Sequence, residues 1–304
     1  MLAAVVTEFG PPEVLRPAEV ATPHAGPGQV RVRVRAAGVL PFDLRVRGGW
    51  SPPGRELTLP VIPGNEFAGV VDEVGDGVTW PAVGERVLGF TVLGSYAEHV
   101  VVSADQVVAK PGNMPWEVAG GFSGNGQGAS SAVEAMAVGP GDVVLVHAAA
   151  GGLGAFAVQL ARVRGAATVI GTAGPANHDY LRRLGAVPVS YGDGLVERVR
   201  AVAPGGVDCA LDAAGPQALR ASVELVADRA RIHTMVSAEL AEEMGLTQTY
   251  PPRSAARLAE LTDLYAAGQL VVHLRHSYPL QQAAEAHRDL GRGHGHGKVV
   301  LSVE

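Results

Sequence analysis

The stretch that decides the fold is Val143-Val144-Leu145-Val146-His147-Ala148-Ala149-Ala150-Gly151-Gly152-Leu153-Gly154. Its first five residues form an apolar run without alternation, the mark of a strand buried on both faces. Beyond the turn, Leu153, Phe156, Ala157, Leu160 and Ala161 recur at i, i+3, i+4, i+7 and i+8, which predicts a helix. A strand, a glycine-rich turn and a helix, in that order, give a glycine motif its physical meaning. Gly151 and Gly154 stand at the second and third glycines of a G-x-G-x-x-G turn. Lacking a Cβ, the second lets the backbone approach a pyrophosphate, and the third lets the helix pack close to the strand. The unpaired N–H groups at the helix start then face the anion, so Ala150, Gly151, Gly152, Leu153 and Gly154 are the expected cofactor contacts. Ala149 replaces the first glycine, which leaves a tight strand–helix turn without a ligand as the alternative.

Working outward, the alternation repeats. Strands are predicted over 167–172, 187–191, 207–212 and 230–236, with helices around 178–184, 195–202 and 217–227. Alternating β and α elements mean a parallel sheet with right-handed crossovers. A helix over 255–266 and a strand over 298–303 follow. Upstream of Gly139-Pro140-Gly141-Asp142 the pattern differs. Val30-Arg31-Val32-Arg33-Val34-Arg35 alternates strictly, the sign of a half-buried strand in an antiparallel sheet or small barrel. Further strands are predicted over 67–74, 85–90 and 96–102, separated by Gly, Pro and Asp.

Composition sets the limits. The 304 residues suggest roughly two domains. With 47% apolar and 18% charged residues, the chain has material for real cores and is not disordered. A single cysteine, Cys209, excludes a disulfide framework and a four-cysteine zinc site. The net charge of -6 argues against a nucleic-acid surface. No basic leader and no apolar run of ~20 residues is found, so a soluble, cytoplasmic protein without membrane partners is expected.

The end of the second strand of the alternating series selects the nucleotide. An NAD site offers Asp or Glu there for the ribose 2′-hydroxyl. Val169-Ile170-Gly171-Thr172-Ala173-Gly174 has no carboxylate, and the next acid, Asp179, lies within a helix. Thr172, Asn177, His178 and Tyr191 are the candidate donors to a 2′-phosphate, so NADPH is expected rather than NADH. Arg182 and Arg183 read as a solvated helix face.

At this point the chain resembles the medium-chain dehydrogenase/reductases, and within them the zinc-less quinone oxidoreductases. The resemblance rests on Ala37-Gly38-Val39 with Asp43, Pro63-Gly64-Asn65-Glu66-Phe67-Ala68-Gly69, Gly94-Ser95-Tyr96-Ala97-Glu98 and Ala149 to Gly154 followed by Gln159-Leu160-Ala161. Thr172-Ala173, Asn177-His178-Asp179, Leu184-Gly185-Ala186 and Gly297-Lys298-Val299-Val300-Leu301 also match, in order and spacing. It implies an α/β chain: a β-rich GroES-like substrate domain from residues 1–122 and 253–304, and a Rossmann domain with a doubly wound parallel sheet over 123–252. It also implies an active cleft at their junction and a homodimer, for which the last Rossmann strand offers an edge.

Zinc-dependent relatives place a cysteine where this chain has Leu40 and a histidine where it has Asn65. Leu cannot ligate and an Asn amide is a poor zinc ligand, so no metal is expected. His294 and His296, in a glycine-rich loop with no third ligand, read as solvated. Relatives often carry Asn at Leu40, Tyr near Trp50 and Thr at Gly128. The glycines over 120–128 suggest a flexible or closely approached backbone, and Asn125 and Gln127 either contact substrate or cap that loop.

Without a metal, reduction of a quinone or a conjugated C=C needs only a hydrogen-bond donor for the carbonyl oxygen. Asn65 and Trp50 are placed nearest that oxygen. Asp43, the third catalytic candidate, and Glu66 either serve the cleft or orient its loops. Solvent or a substrate hydroxyl supplies the proton. Three readings stand: an NADPH-dependent reductase of quinones or activated alkenes, a pathway-specific enoyl or keto reductase of a biosynthetic intermediate, and a non-catalytic NADPH-binding sensor or structural protein.

Overall fold

The computed structural model describes residues 1–52, 54–293 and 295–303. The chain forms two compact units, one of Met1–Gly124, Ser254–Ala267 and Val272–Glu304, the other of Asn125–Arg253 and Gly268–Val271. Among the described residues no helix is long and apolar enough to cross a membrane.

The first unit opens with β1 (Leu2–Val6) and β2 (Leu15–Glu19), an antiparallel pair. The long strand β3 (Gln29–Val39) follows, then the short helix α1 (Pro41–Arg47). Next come β4 (Glu66–Val74), β5 (Arg86–Phe90), β6 (His99–Ser103), β7 (Val107–Ala109) and helix α2 (Trp116–Gly120). The alternation in β3 sorts its side chains as expected. Val30, Val32 and Val34 are buried with Phe67, Val71, Val87 and Val100, while Arg31 on the other face pairs with Asp72 and Glu73.

Helix α3 (Ser123–Ala135) leads out of this unit and corrects the loop reading of 120–128: Gly124, Gly126 and Gly128 lie inside a helix. Glycine is a poor helix former, so propensity hid the helix. What holds it is close packing. A Cβ on Gly124 would lie 2.7 Å from Leu40 Cδ1, and the Gly124 N–H donates to Glu66 Oε2 at 2.6 Å.

The second unit carries the alternating series: β8 (Val143–Val146), α4 (Gly152–Val163), β9 (Thr168–Ala173), α5 (His178–Leu184), β10 (Val187–Ser190) and α6 (Leu195–Val202). It continues through β11 (Cys209–Asp212), α7 (Pro216–Leu225), β12 (Ile232–Thr234) and α8 (Ala238–Glu243). The strands form one all-parallel sheet in the order β10-β9-β8-β11-β12. The order reverses between β8 and β11, where a doubly wound sheet binds ligands at the carboxyl ends of its strands. The chain then returns to the first unit with α9 (Ala255–Ala266), β13 (Leu274–Pro279), α10 (Ala283–Gly291) and β14 (Lys298–Ser302), and β14 pairs with β3.

The edge strand β12 is shorter than the 230–236 expected, because 229–231 form a 3₁₀ turn. Its outer edge is occupied. Gln248 accepts the Thr234 N–H at 2.8 Å and donates to the Ile232 carbonyl at 3.2 Å, as the backbone of a neighbouring strand would. The Tyr250 hydroxyl meets the Thr234 carbonyl beside it. Gln248→Ala therefore strips two edge groups of their partners and should cost about 1–2 kcal/mol. Urea unfolding should show a lower midpoint at unchanged slope; an unchanged midpoint contradicts this role.

Candidate functional site

The turn between β8 and α4 is built by close approach. Ala148 takes a left-handed conformation, φ 51, and the Gly151 N–H returns to the Ala148 carbonyl at 2.9 Å. A Cβ on Gly154 would lie 2.4 Å from the Ala148 carbonyl oxygen and 2.7 Å from Ala149 Cα, so only glycine fits there. Gly151 is the N-cap of α4 and no side chain of the described residues caps that end. The first-turn N–H groups are thus left for an anion, reinforced by the helix dipole.

The missing first glycine also has an explanation. A Cβ on Gly171 of β9 would lie 2.8 Å from the Ala149 methyl, so the neighbouring strand leaves room for the alanine. A motif read along the chain misses this cross-strand exchange.

At the carboxyl ends of β9 and β10, His178 Nε2 lies 3.4 Å from both the Ala173 carbonyl and Ser190 Oγ. The exposed Tyr191 places its hydroxyl 3.6 Å from where a Cβ on Gly174 would sit. Arg198 donates to the carbonyls of Ser190, Tyr191, Gly192 and Asp193 and so fixes the loop carrying Tyr191. The sequence reading missed Arg198, whose place in a helical pattern carries no signal. Asn177 is half-buried at the start of α5. Thr172 departs from its expected role: it is 1% exposed and its Oγ1 turns inward, accepting the Ala148 N–H at 3.3 Å. Arg182 pairs with Asp179, in keeping with a solvated helix face.

In the first unit, Asn65, Leu40 and Gly124 come together: a Cβ on Gly124 would meet Leu40 Cδ1 and lie 3.4 Å from Asn65 Oδ1. Next in the chain, the buried Glu66 pairs with the buried Lys298 at 2.8 Å. Asp43 has no exposed surface; it accepts the Leu40 N–H at 2.8 Å, the Gly64 N–H at 3.2 Å and the Tyr96 hydroxyl at 3.1 Å. These bonds tie Asp43 to the loops holding Leu40 and Asn65. Tyr96 Oη lies 3.2 Å from His287 Nε2, and His287 Nδ1 lies 3.3 Å from an Arg47 nitrogen. Trp50 stands past the other end of α1, edge-on to Phe42 and under the Arg45 guanidinium at 3.9 Å.

Among the described residues no three His, Cys, Asp or Glu side chains converge to hold a metal. Cys209 is buried in β11, and burial pushes its thiol up to about 12. The His296 ring stacks on His273 at 4.5 Å; His294 lies outside the described residues. Gln127 is buried in α3 and Asn125 half-buried.

Residues 26–112 match the family model of the alcohol dehydrogenase GroES-like domain, and 184–301 match that of zinc-binding dehydrogenases. The chain is 33% identical to a 2-haloacrylate reductase of Burkholderia sp, covering 99% of this chain and 98% of that protein. It is 34% identical to a segment of polyketide synthase GfsB of Streptomyces halstedii, covering 95% of this chain and 5% of that protein. Among solved structures, an NAD-dependent alcohol dehydrogenase superposes with TM-score 0.89 at 30% identity, covering 100% of both chains. The Escherichia coli quinone oxidoreductase complexed with NADPH superposes with TM-score 0.88 at 26% identity, covering 99% of this chain and 100% of that one. The chain belongs to the medium-chain dehydrogenase/reductase superfamily, in its quinone oxidoreductase branch.

Burial sets a pH response. It lowers His147 to about 4 and His287 to about 3, against 6.5 in the unfolded chain, so the stability they lend is present above 6.5 and lost as pH falls. Asp43 runs the other way. Burial, with Glu66 adding to it, raises it from 3.8 to about 7, so its contribution is present below 3.8 and lost as pH rises through 7. Between about pH 4 and 6.5 two histidines oppose one aspartate, so these groups together take up about one net proton on unfolding near pH 5 and less towards pH 6.5. Denaturation midpoints measured across that range should fall with acid; a flat profile contradicts the neutral buried histidines.

Proposed function

We propose that this chain is a zinc-independent, NADPH-dependent oxidoreductase whose substrate is a quinone or the activated C=C of an α,β-unsaturated carbonyl. The observation that carries the reading is the turn at Ala148–Gly154 combined with a β9 terminus that has no carboxylate but gathers His178, Ser190 and Tyr191. Bound NADPH would supply the hydride. The open N–H groups of Gly152, Leu153 and Gly154 would hold its pyrophosphate, and Tyr191 and His178 would bond the 2′-phosphate that an acidic residue would repel.

The residues do not fit a catalytic zinc. Leu40 has no ligating atom, and the Asn65 amide stands where a ligand would be needed. The chemistry is therefore left to groups that share charge without a metal. In the first unit the Asn65 amide is the group we assign to the negative charge that develops on a carbonyl oxygen, and Asp43 holds the loop before it through the Gly64 N–H. Water or a substrate hydroxyl completes the proton transfer. Quinones and enones need no stronger acid, because conjugation spreads the charge.

Leu40 and Trp50, where relatives carry polar groups, favour a second reading: an enoyl or keto reductase for one bulky biosynthetic intermediate. The likeness to a segment of a polyketide synthase supports it equally. We further read the protein as a homodimer, as is common in this family, but not one that extends the ladder at β12, whose edge Gln248 covers.

NADPH oxidation with 9,10-phenanthrenequinone and with 2-alkenals tests the reading. Turnover is expected with NADPH, and Tyr191→Phe should raise the NADPH KM about tenfold while leaving that for NADH unchanged. NADPH binding without turnover on any of these electrophiles transfers the case to the pathway-specific enzyme or to a non-catalytic sensor.

A further inference from the structure

Beneath the cofactor turn lies a buried hydrogen-bonded chain that the proposed reaction does not use. His147, wholly buried at the end of β8, has Nδ1 3.3 Å from Thr172 Oγ1 and Nε2 3.1 Å from Ser222 Oγ. Ser222 Oγ in turn lies 3.0 Å from the Ala218 carbonyl, and Thr172 Oγ1 lies 3.3 Å from the Ala148 nitrogen.

The proton positions follow from the two ends. A carbonyl only accepts, so Ser222 gives its proton to Ala218 and takes one from His147 Nε2. That leaves Nδ1 bare, an acceptor for the Thr172 hydroxyl, whose own lone pair takes the Ala148 N–H. Every link has one proton and one acceptor, and the arrangement requires a neutral imidazole. Burial keeps it neutral.

Asp212 on β11 is a charged group whose field acts on this imidazole. Its carboxylate is already engaged by the N–H groups of Ala214 and Gly215 and the hydroxyls of Thr234 and Ser237. His147 is thus not half of a His–Asp pair. Among the described residues its side-chain bonds run to Thr172 and Ser222, and through Thr172 to the turn.

The turn needs such a hold. Ala148 carries a Cβ yet sits at φ 51, a left-handed conformation that is unfavourable for a residue with a side chain. Its carbonyl is the one that Gly154 must approach and that receives the Gly151 N–H. Release Ala148 and the anion-binding N–H groups lose their aim.

We propose that Thr172, oriented by His147 and Ser222, is a positioning residue for cofactor binding: its hydroxyl locks Ala148 in the left-handed conformation on which the pyrophosphate site depends. This rests on the reading that NADPH binds at this turn. It replaces the expectation that Thr172 meets the 2′-phosphate itself.

The test is fluorescence titration of the wild type, Thr172→Val and Thr172→Ser with NADPH and with adenosine 2′-monophosphate, a fragment that lacks the pyrophosphate. Valine keeps the branched shape and removes only the hydroxyl. Thr172→Val should weaken NADPH tenfold or more while its affinity for the fragment stays within twofold, and Thr172→Ser should bind NADPH as the wild type does. NADPH binding unchanged in Thr172→Val overturns the inference. So does a parallel loss of both ligands, which marks general damage, and so does failure of serine to restore binding. A wild type that binds the fragment but not NADPH overturns the cofactor-turn reading, and this inference with it.

Discussion

The second unit depends on one contact: the approach of α4 to the end of β8 at Gly154. Any side chain there would drive into the Ala148 carbonyl, so the closeness of helix and strand is a property of a single missing Cβ. The surrounding residues serve that approach. Ala148 turns the chain through a left-handed conformation, Gly171 vacates space for Ala149, and Thr172 receives the Ala148 N–H. The result is a set of N–H groups pointing out of a helix start at the reversal point of the sheet.

The first unit applies the same means to a different end. Gly38 has no Cβ because one would lie 1.9 Å from Glu66 Oε1, and Gly124 has none because of Leu40 and Glu66. Glycines here make space for a buried ion pair, Glu66–Lys298. Breaking such a pair leaves an uncompensated buried charge. Each unit also encloses a histidine that burial keeps neutral, His287 in the first and His147 in the second, bonded at both nitrogens.

Much of this was legible in the sequence, for reasons that can be named. The Val/Arg alternation of β3 has one strong period and one buried face, and the burial follows it residue by residue. Helices α5, α6 and α9 run over the expected residues, because Gly, Asp or Ser punctuates each one. What stayed hidden depends on contacts between distant residues. Glycines that read as a loop form α3 because Leu40 and Glu66 press against it. Thr172 reads as a donor at a strand end, yet its burial is set by His147 on the next strand. The Gln248 cap on β12 is a side chain imitating a backbone, and no periodicity announces it.

The account stands most directly on what the turn at Gly154 binds. Calorimetric titration of NADPH and NADH into the wild type and Gly154→Val measures it. The account predicts one NADPH per chain in the wild type, NADH weaker by about tenfold or more for want of the 2′-phosphate contacts, and no binding of either by the variant. A wild type that binds neither dinucleotide, or a variant that binds NADPH as the wild type does, contradicts it.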